Sequence, residues 1–344
     1  MPPYNSGMDQ GAVEQSIEQL DDRGRYAISP WEIPWRGWRD VILRVKHEAQ
    51  RDNITLVAAG MAFYGMLSVA PSLAALISIY GLVVTPADVE AQVTAISTYL
   101  PADAQAIIAR QLQDLATAKK DALGWGVVVS VTLSLWSASK GMRSLFGGLN
   151  TVYNEYERRS YVFLSAQSLT FTLLALLLFA LMLLVLGVIP TVLSFVTFSA
   201  PAEWLVRVAS WVVIALVVLL ALAILYRFGP CRTQPRWTWV SFGSLFALVV
   251  WALVSAGLSW YVSQFDTYQK TYGALGAVVV MLMWFFLSAY AVLLGAELNA
   301  ELEHQTQVDS TVGEPKPMGQ RGAQVADNLG TIPSWRYLDR DRAS

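Results

Sequence analysis

Residues 160–202 read SYVFLSAQSLTFTLLALLLFALMLLVLGVIPTVLSFVTFSAPA and contain no Asp, Glu, Lys or Arg. Hydrocarbon about 30 Å thick takes roughly 20 helical residues, so the stretch could supply one membrane span or two. The choice decides the fold, because an even number of spans returns both chain ends to the same side and an odd number separates them. The Leu-rich part stops at Gly187 and Pro190, and Ser, Thr and Phe follow. This pattern predicts one helix over residues 163–189 and an outer loop after it.

Five other windows lack charge in the same way: residues 53–87, 122–139, 208–226, 237–265 and 271–296. Each can hold one span. With 55% hydrophobic residues, 15% charged residues and a mean hydropathy of +0.43, the chain resembles a membrane protein more than a soluble one. Strands of an outer-membrane barrel would alternate in segments of about ten residues, whereas these windows are continuous blocks. The expected fold is therefore an all-α polytopic membrane protein with six transmembrane helices, over about residues 55–84, 122–141, 163–189, 205–226, 238–263 and 272–297.

Orientation follows from Lys and Arg. A cytoplasmic N-terminus puts Arg36, Arg39, Arg44, Lys46, Arg51, Lys140, Arg143, Arg158, Arg159, Arg227, Arg232 and Arg236 inside, against Arg110, Lys119, Lys120, Arg207 and Lys270 outside. That bias predicts both termini in the cytoplasm. Residues 1–30 form a polar N-terminal tail without the basic start and short apolar core of a cleaved signal, so the first span is expected to direct insertion. The single cysteine, Cys231, cannot form an intrachain disulfide and receives no role. A net charge of −2 gives no sign of a nucleic-acid partner.

The membrane domain is expected over residues 31–303. Trp31, Trp35 and Trp38 interleave with Arg36, Arg39 and Arg44, a pattern suited to a helix lying in the headgroup layer. Between the first two spans, residues 86–121 carry apolar positions at helical spacing on either side of Pro101, which predicts two amphipathic outer helices. They read as a cap on the bundle or a gate over a path. The third and fourth spans are apolar on every face and are expected to meet lipid. Gly126, Ser130, Ser134 and Ala138 recur every four residues in the second span, and Pro71 should kink the first, so the core is expected from spans one, two, five and six. Residues 304–344 are polar and lack apolar periodicity, which predicts a disordered cytoplasmic tail.

Catalytic spacing is missing from the sequence. His47 and His304 are far apart, no HExxH or CxxC occurs, and there is no GxxxxGK[ST] loop, so neither a metal centre, a cofactor nor ATP-driven transport is expected. What remains is a set of polar groups near the cytoplasmic ends of the spans: Lys140, Arg143, Asn150, Tyr153, Arg227, Glu297, Asn299 and Glu301. Counted from Leu123, Lys140 stands about 25 Å along a straight helix, close to the end of the hydrocarbon. With Arg143, Ser144 and Gly147 it would form a cationic strip that suits anionic lipid headgroups, although a positive-inside anchor explains the same cations. Glu297 and Glu301 stand four apart. They read either as a solvated interfacial pair, with Arg227 or Lys140 as counter-ions, or as groups that change protonation or partner during transport.

These residues resemble the YihY/virulence factor BrkB family of bacterial inner-membrane proteins over roughly residues 40–303. The resemblance is carried by AAGMAFYGMLSVAPSL (58–73), WSASKGMRSLFGGLNTVYNEYERRS (136–160), LYRFGP (225–230) and the segments WALVSAGLSWYVSQFDTYQKTYGALGA through LLGAELNAELE (251–303). It implies a six-helix inner-membrane protein and adds Arg158, Tyr272, Gly273 and Trp284 to the site candidates. Members have been discussed as lipid permeases, and an older label, ribonuclease BN, persists on some of them. A nuclease needs a metal cluster or acid–base pair on a basic face, which these residues do not suggest. The expected function is passive or gradient-coupled transport of a lipid or other amphiphile, with membrane lipids and an envelope protein as possible partners. The alternative is a non-transporting envelope-integrity scaffold.

Overall fold

In a computed structural model, the structure describes residues 22–83, 123–195, 200–263 and 266–332. Its long elements are helices: α1 (Trp35–Arg51), α2 (Ile54–Val83), α3 (Leu123–Val152), α4 (Tyr161–Phe195), α5 (Ala200–Phe228), α6 (Trp237–Ser263), α7 (Asp266–Glu303) and the short α8 (Gln324–Asp327). Among the described residues the only β pairing is an isolated bridge between Pro235 and Thr311. Five described helices are long and apolar enough to cross a membrane, over Ile54–Leu73, Tyr161–Met182, Trp204–Phe228, Trp237–Ser263 and Gly276–Glu303. The sequence expected for the remaining span lies on α3. The two expected outer amphipathic helices fall outside the described residues.

Residues 161–195 of the deciding stretch form one helix. α4 runs unbroken past Gly187 and Pro190 to Phe195, so the loop expected after residue 189 is not yet present there. Leu174, Leu177 and Leu181 on α4, and Val212, Leu216 and Leu220 on α5, are exposed, as suits helices that present apolar surface to lipid. α4's buried hydroxyls bond within the helix: Ser168 donates to the Leu164 carbonyl and Thr172 to the Ser168 carbonyl.

The chain divides into two units: Met1–Ala62 with Leu145–Arg159 and Trp204–Ser344, and Phe63–Ser144 with Ser160–Glu203. In the second unit, α2 and α3 approach closely at Gly141, where an added Cβ would meet the Ser68 hydroxyl at 2.7 Å. In the first unit α7 packs against α6 and α1. Gly243 and Gly295 allow the α6 and α7 backbones to meet, since a Cβ on either would strike the other's carbonyl. Trp251 and Trp284 tie the same two helices by donating to Ser288 at 3.1 Å and Ser255 at 3.2 Å.

Two sequence expectations, both about the chain ends, are corrected in this unit. The helix expected in the headgroup layer, α1, packs one face on protein: Val41 joins Ala27, Ile33, Trp239, Leu298 and Leu302 in a core, and Arg44 and Asp40 are both buried. Its other face stays exposed, with Arg36, Arg39, Ile42 and Lys46 beside Trp35, and Trp31 is exposed just before it. The first correction is at the N-terminal side, where residues 22–30 are folded and Arg25 is buried.

The second correction concerns the C-terminal tail, since residues 304–332 are folded. Their order comes from polar groups rather than from apolar periodicity. Thr233 and Arg236 donate backbone bonds to Gly322 and Ser310, Gln307 donates to Arg25, and the Arg25 guanidinium reaches the Gly330 carbonyl at 2.7 Å. Buried Arg321 donates to the carbonyls of Gln307, Val308, Lys316 and Ala326, which compensates its desolvation. Arg321→Ala is expected to loosen this segment by about 1.5–3 kcal/mol, the scale of hydrogen bonds to a charged group. Limited proteolysis should then cut within residues 304–332 while leaving the helices intact.

Candidate functional site

The last two turns of α7, GAELNAELE over residues 295–303, bring four polar side chains into the first unit: Glu297, Asn299, Glu301 and Glu303. All four are buried. At 38 residues and about 1.5 Å per residue, α7 is roughly 57 Å long, about twice the hydrocarbon thickness, so the helix can hold these groups while also crossing the bilayer.

Each group has a different environment. Glu303 forms an ion pair with Arg232 at 2.6 Å, both side chains being 0% exposed, and also accepts from Ser310. The Arg232 guanidinium lies over the Tyr153 ring, 5.0 Å from its centre. Burial works against the Arg232 charge, and the Glu303 carboxylate more than offsets it, holding the guanidinium above its ordinary range. Glu301 contacts Arg44 of α1 and lies 3.1 Å from His304. Asn299 bridges to α6, accepting from the Gly243 N–H at 2.8 Å and donating to the Val240 carbonyl at 3.3 Å.

Glu297 differs from the other three. Its residue is 1% exposed, its Oε1 has no hydrogen-bond partner, and no cation among the described residues pairs with it. Its neighbour is the carboxyl of Asp52, within side-chain hydrogen-bonding reach. Asp52 is set there by the two-residue connection between α1 and α2. Asp52 caps α1, and Asn53 takes the left-handed conformation (φ 50°) that asparagine tolerates better than most residues. Burial first, then Glu48 and Glu301, raise the Asp52 carboxyl to about 6, against the pull of Arg51 and of a hydrogen bond from Glu297.

The turn after α3 completes the surroundings. Asn150 donates to Glu157 at 3.0 Å and accepts from the Cys231 N–H at 2.8 Å. Glu157 is held down at about 2, chiefly by its hydrogen bond from Arg159. Tyr153 is fully buried, and that burial pushes its phenol up. Exposed Arg158 reaches Cys231 only through its backbone N–H, at 3.4 Å.

Of the sequence candidates, Asn150, Tyr153, Glu297 and Asn299 thus belong to one buried polar region of the first unit. Arg227, expected as a counter-ion, instead lies over the Trp237 ring at 4.3 Å from its centre. Trp284 serves the α6–α7 seam. Tyr272 and Gly273 lie where the surroundings of the chain fall outside the described ones. Lys140 and Arg143 belong to the second unit, where Lys140 lies over Trp136 at 5.4 Å and Arg143 over Tyr161 at 5.0 Å. Sequence reading missed Asp52, and it counted Arg44 and Arg232 only among the flanking cations that set orientation and anchor helices. Asp52 in the triplet Arg51–Asp52–Asn53, just before an apolar block, was the available signal.

Comparison with known proteins adds a lineage to this geometry. The family described as Virulence factor BrkB matches residues 45–319. The ribonuclease-like protein YfkH of Bacillus subtilis (strain 168) is 30% identical over 267 residues, which cover 76% of this chain and 93% of that protein. A UPF0761 membrane protein of Pseudoalteromonas atlantica (strain T6c / ATCC BAA-1087) is 27% identical, over 79% of this chain and 90% of its own length. Another, from Aliivibrio fischeri (strain ATCC 700601 / ES114), is 28% identical over 77% and 84%. No solved structure matches.

Proposed function

The chain belongs to the virulence factor BrkB family of membrane proteins, and on that premise we propose that it is a gradient-coupled transporter of a lipid or other amphiphile rather than an enzyme. In this reading it spans the bacterial inner membrane six times, α3 supplying the second span, with both termini in the cytoplasm. The observation that carries the proposal is Glu297: an ionisable group buried on a membrane helix with an unpartnered oxygen and no cation beside it. An anchoring carboxylate needs only the interface, whereas a carboxyl buried without a counter-ion is costly and marks an ion pathway or proton relay. The aromatic-stacked cations Lys140, Arg143 and Arg227 support cytoplasmic helix ends that contact anionic headgroups.

The test is movement of a headgroup-labelled anionic phospholipid across vesicles holding the full-length protein under an imposed pH gradient. Wild-type protein should speed equilibration over protein-free vesicles, and Glu297→Gln should slow it at least about tenfold, a barrier change of about 1.4 kcal/mol. Equal rates in protein-free and wild-type vesicles would remove the transport reading.

A second reading, a non-transporting envelope-integrity scaffold, draws on the pairs Arg232–Glu303 and Arg44–Glu301, which tie distant segments together. It expects Glu297→Gln to alter melting temperature alone. The ribonuclease-like name belongs to the Bacillus relative. Its transfer to this chain would require metal-dependent RNA cleavage that survives purification.

A further inference from the structure

We propose that Asp52 and Glu297 form a proton-binding site in which two carboxyls hold one proton between them, joining the α1–α2 turn to the cytoplasmic end of α7. This deepens the transport reading by naming its coupling ion, and it rests on that reading for its purpose but not for its chemistry.

Three observations support the site. α1 packs against α7, where Arg44 meets Glu301, and sets the half-buried Asp52 carboxyl within hydrogen-bonding reach of the buried Glu297 carboxyl, so two adjacent like charges are disfavoured there. Each also has one buried oxygen without a partner, Oδ2 of Asp52 and Oε1 of Glu297, so the surrounding protein does not stabilise two full negative charges. The nearby cations are engaged elsewhere: Arg44 with Glu301, Arg51 with Glu48, and Arg232 with Glu303.

The charged and titratable groups that face the pair are Glu48 and Arg51 on α1, Glu301 on α7 and Tyr153 after α3. Two of the three charged ones are carboxylates, which favours proton uptake. The doubly ionised pair takes one H⁺ from water and becomes a singly charged unit in which one carboxyl donates to the other. Its loss restores two negative charges and drives the turn and α7 apart. The proton suits this site better than a metal cation does. Mg²⁺ asks for octahedral oxygen coordination and Ca²⁺ for six to eight ligands, and no metal-holding group of three or more His, Cys, Asp or Glu occurs among the described residues. A shared proton needs only two oxygens.

Infrared difference spectra of the full-length chain in lipid nanodiscs, recorded over a pH titration, test the site. The expected result is a carboxylic-acid C=O band that persists at neutral pH, is absent in Glu297→Gln and is displaced in Asp52→Asn. Glu48→Gln leaves the pair intact and removes a neighbouring negative charge, so it should shift the band's titration midpoint to lower pH; this variant keeps the test valid if either pair variant fails to fold. No such band in the wild type, a band unchanged in both pair variants, or a band that responds to Na⁺ rather than to pH would overturn the proposal. A band without lipid movement keeps the proton site and removes the transport reading, and lipid movement without a band does the reverse.

Discussion

Arg232→Ala should lower the stability of the purified protein by about 3–5 kcal/mol, the loss expected when one partner of a buried ion pair is removed and the other charge is left behind. Arg232 and Glu303 are both 0% exposed, and Glu303 would keep only the Ser310 hydroxyl. The replacement also uncovers the Tyr153 ring beneath the guanidinium. Denaturant unfolding in detergent gives the size. A control separates charge burial from packing: Arg232→Met combined with Glu303→Leu should recover much of the loss, because apolar residues of similar volume tolerate a dry site that a lone carboxylate does not. A double variant as unstable as Arg232→Ala would mean that shape, not charge, dominates there.

Gly295→Ala is expected to be nearly as damaging although it adds one methyl group. The new carbon would meet the Gly243 carbonyl, the Tyr226 hydroxyl and the Ala247 Cβ, all within 2.7 Å. Two of these contacts belong to α6, one of them backbone, so no side-chain rotation relieves the clash and the helices must separate. The third belongs to Tyr226, which donates to the Val292 carbonyl at 2.8 Å and holds α5 to α7. Overpacking of a tight core costs about 1–3 kcal/mol, and here the loss of neighbouring bonds adds to it. The expected readout is a lower yield of monodisperse protein and a lower melting temperature. Gly147→Ala provides a matched control, since nothing lies within 4 Å of an added carbon there.

The membrane helices were legible because hydrocarbon imposes a single requirement, a continuous apolar block. Residues 161–195 met it with one helix, whose end was read too early because Gly187 and Pro190 look like terminators out of context. The polar end of α7 was legible for the complementary reason: Glu297, Asn299 and Glu301 interrupt an otherwise apolar stretch. Their partners were not. Arg44 meets Glu301 across 257 positions and Arg232 meets Glu303 across 71, and no periodicity encodes a contact of that kind. Lys140 was read as a candidate counter-ion, yet its ammonium lies over Trp136, four residues earlier on its own helix. Residues 304–332 misled in the opposite sense, since a segment fastened by backbone bonds and by Arg321 has the composition of a disordered one.

The connection between α1 and α2 is only Asp52 and Asn53, and Asn53 already occupies a conformation with few alternatives. Such a joint has no slack. Any tilt of the first membrane helix is therefore delivered to α1 as a swing, much as a short crank turns a handle, and α1 is fastened at its far side to α7 through Arg44 and the Val41 core. Motion inside the bilayer and motion at the α1 end of α7 become one mechanical coordinate, and an observer labelling only the exposed Trp35 would see both.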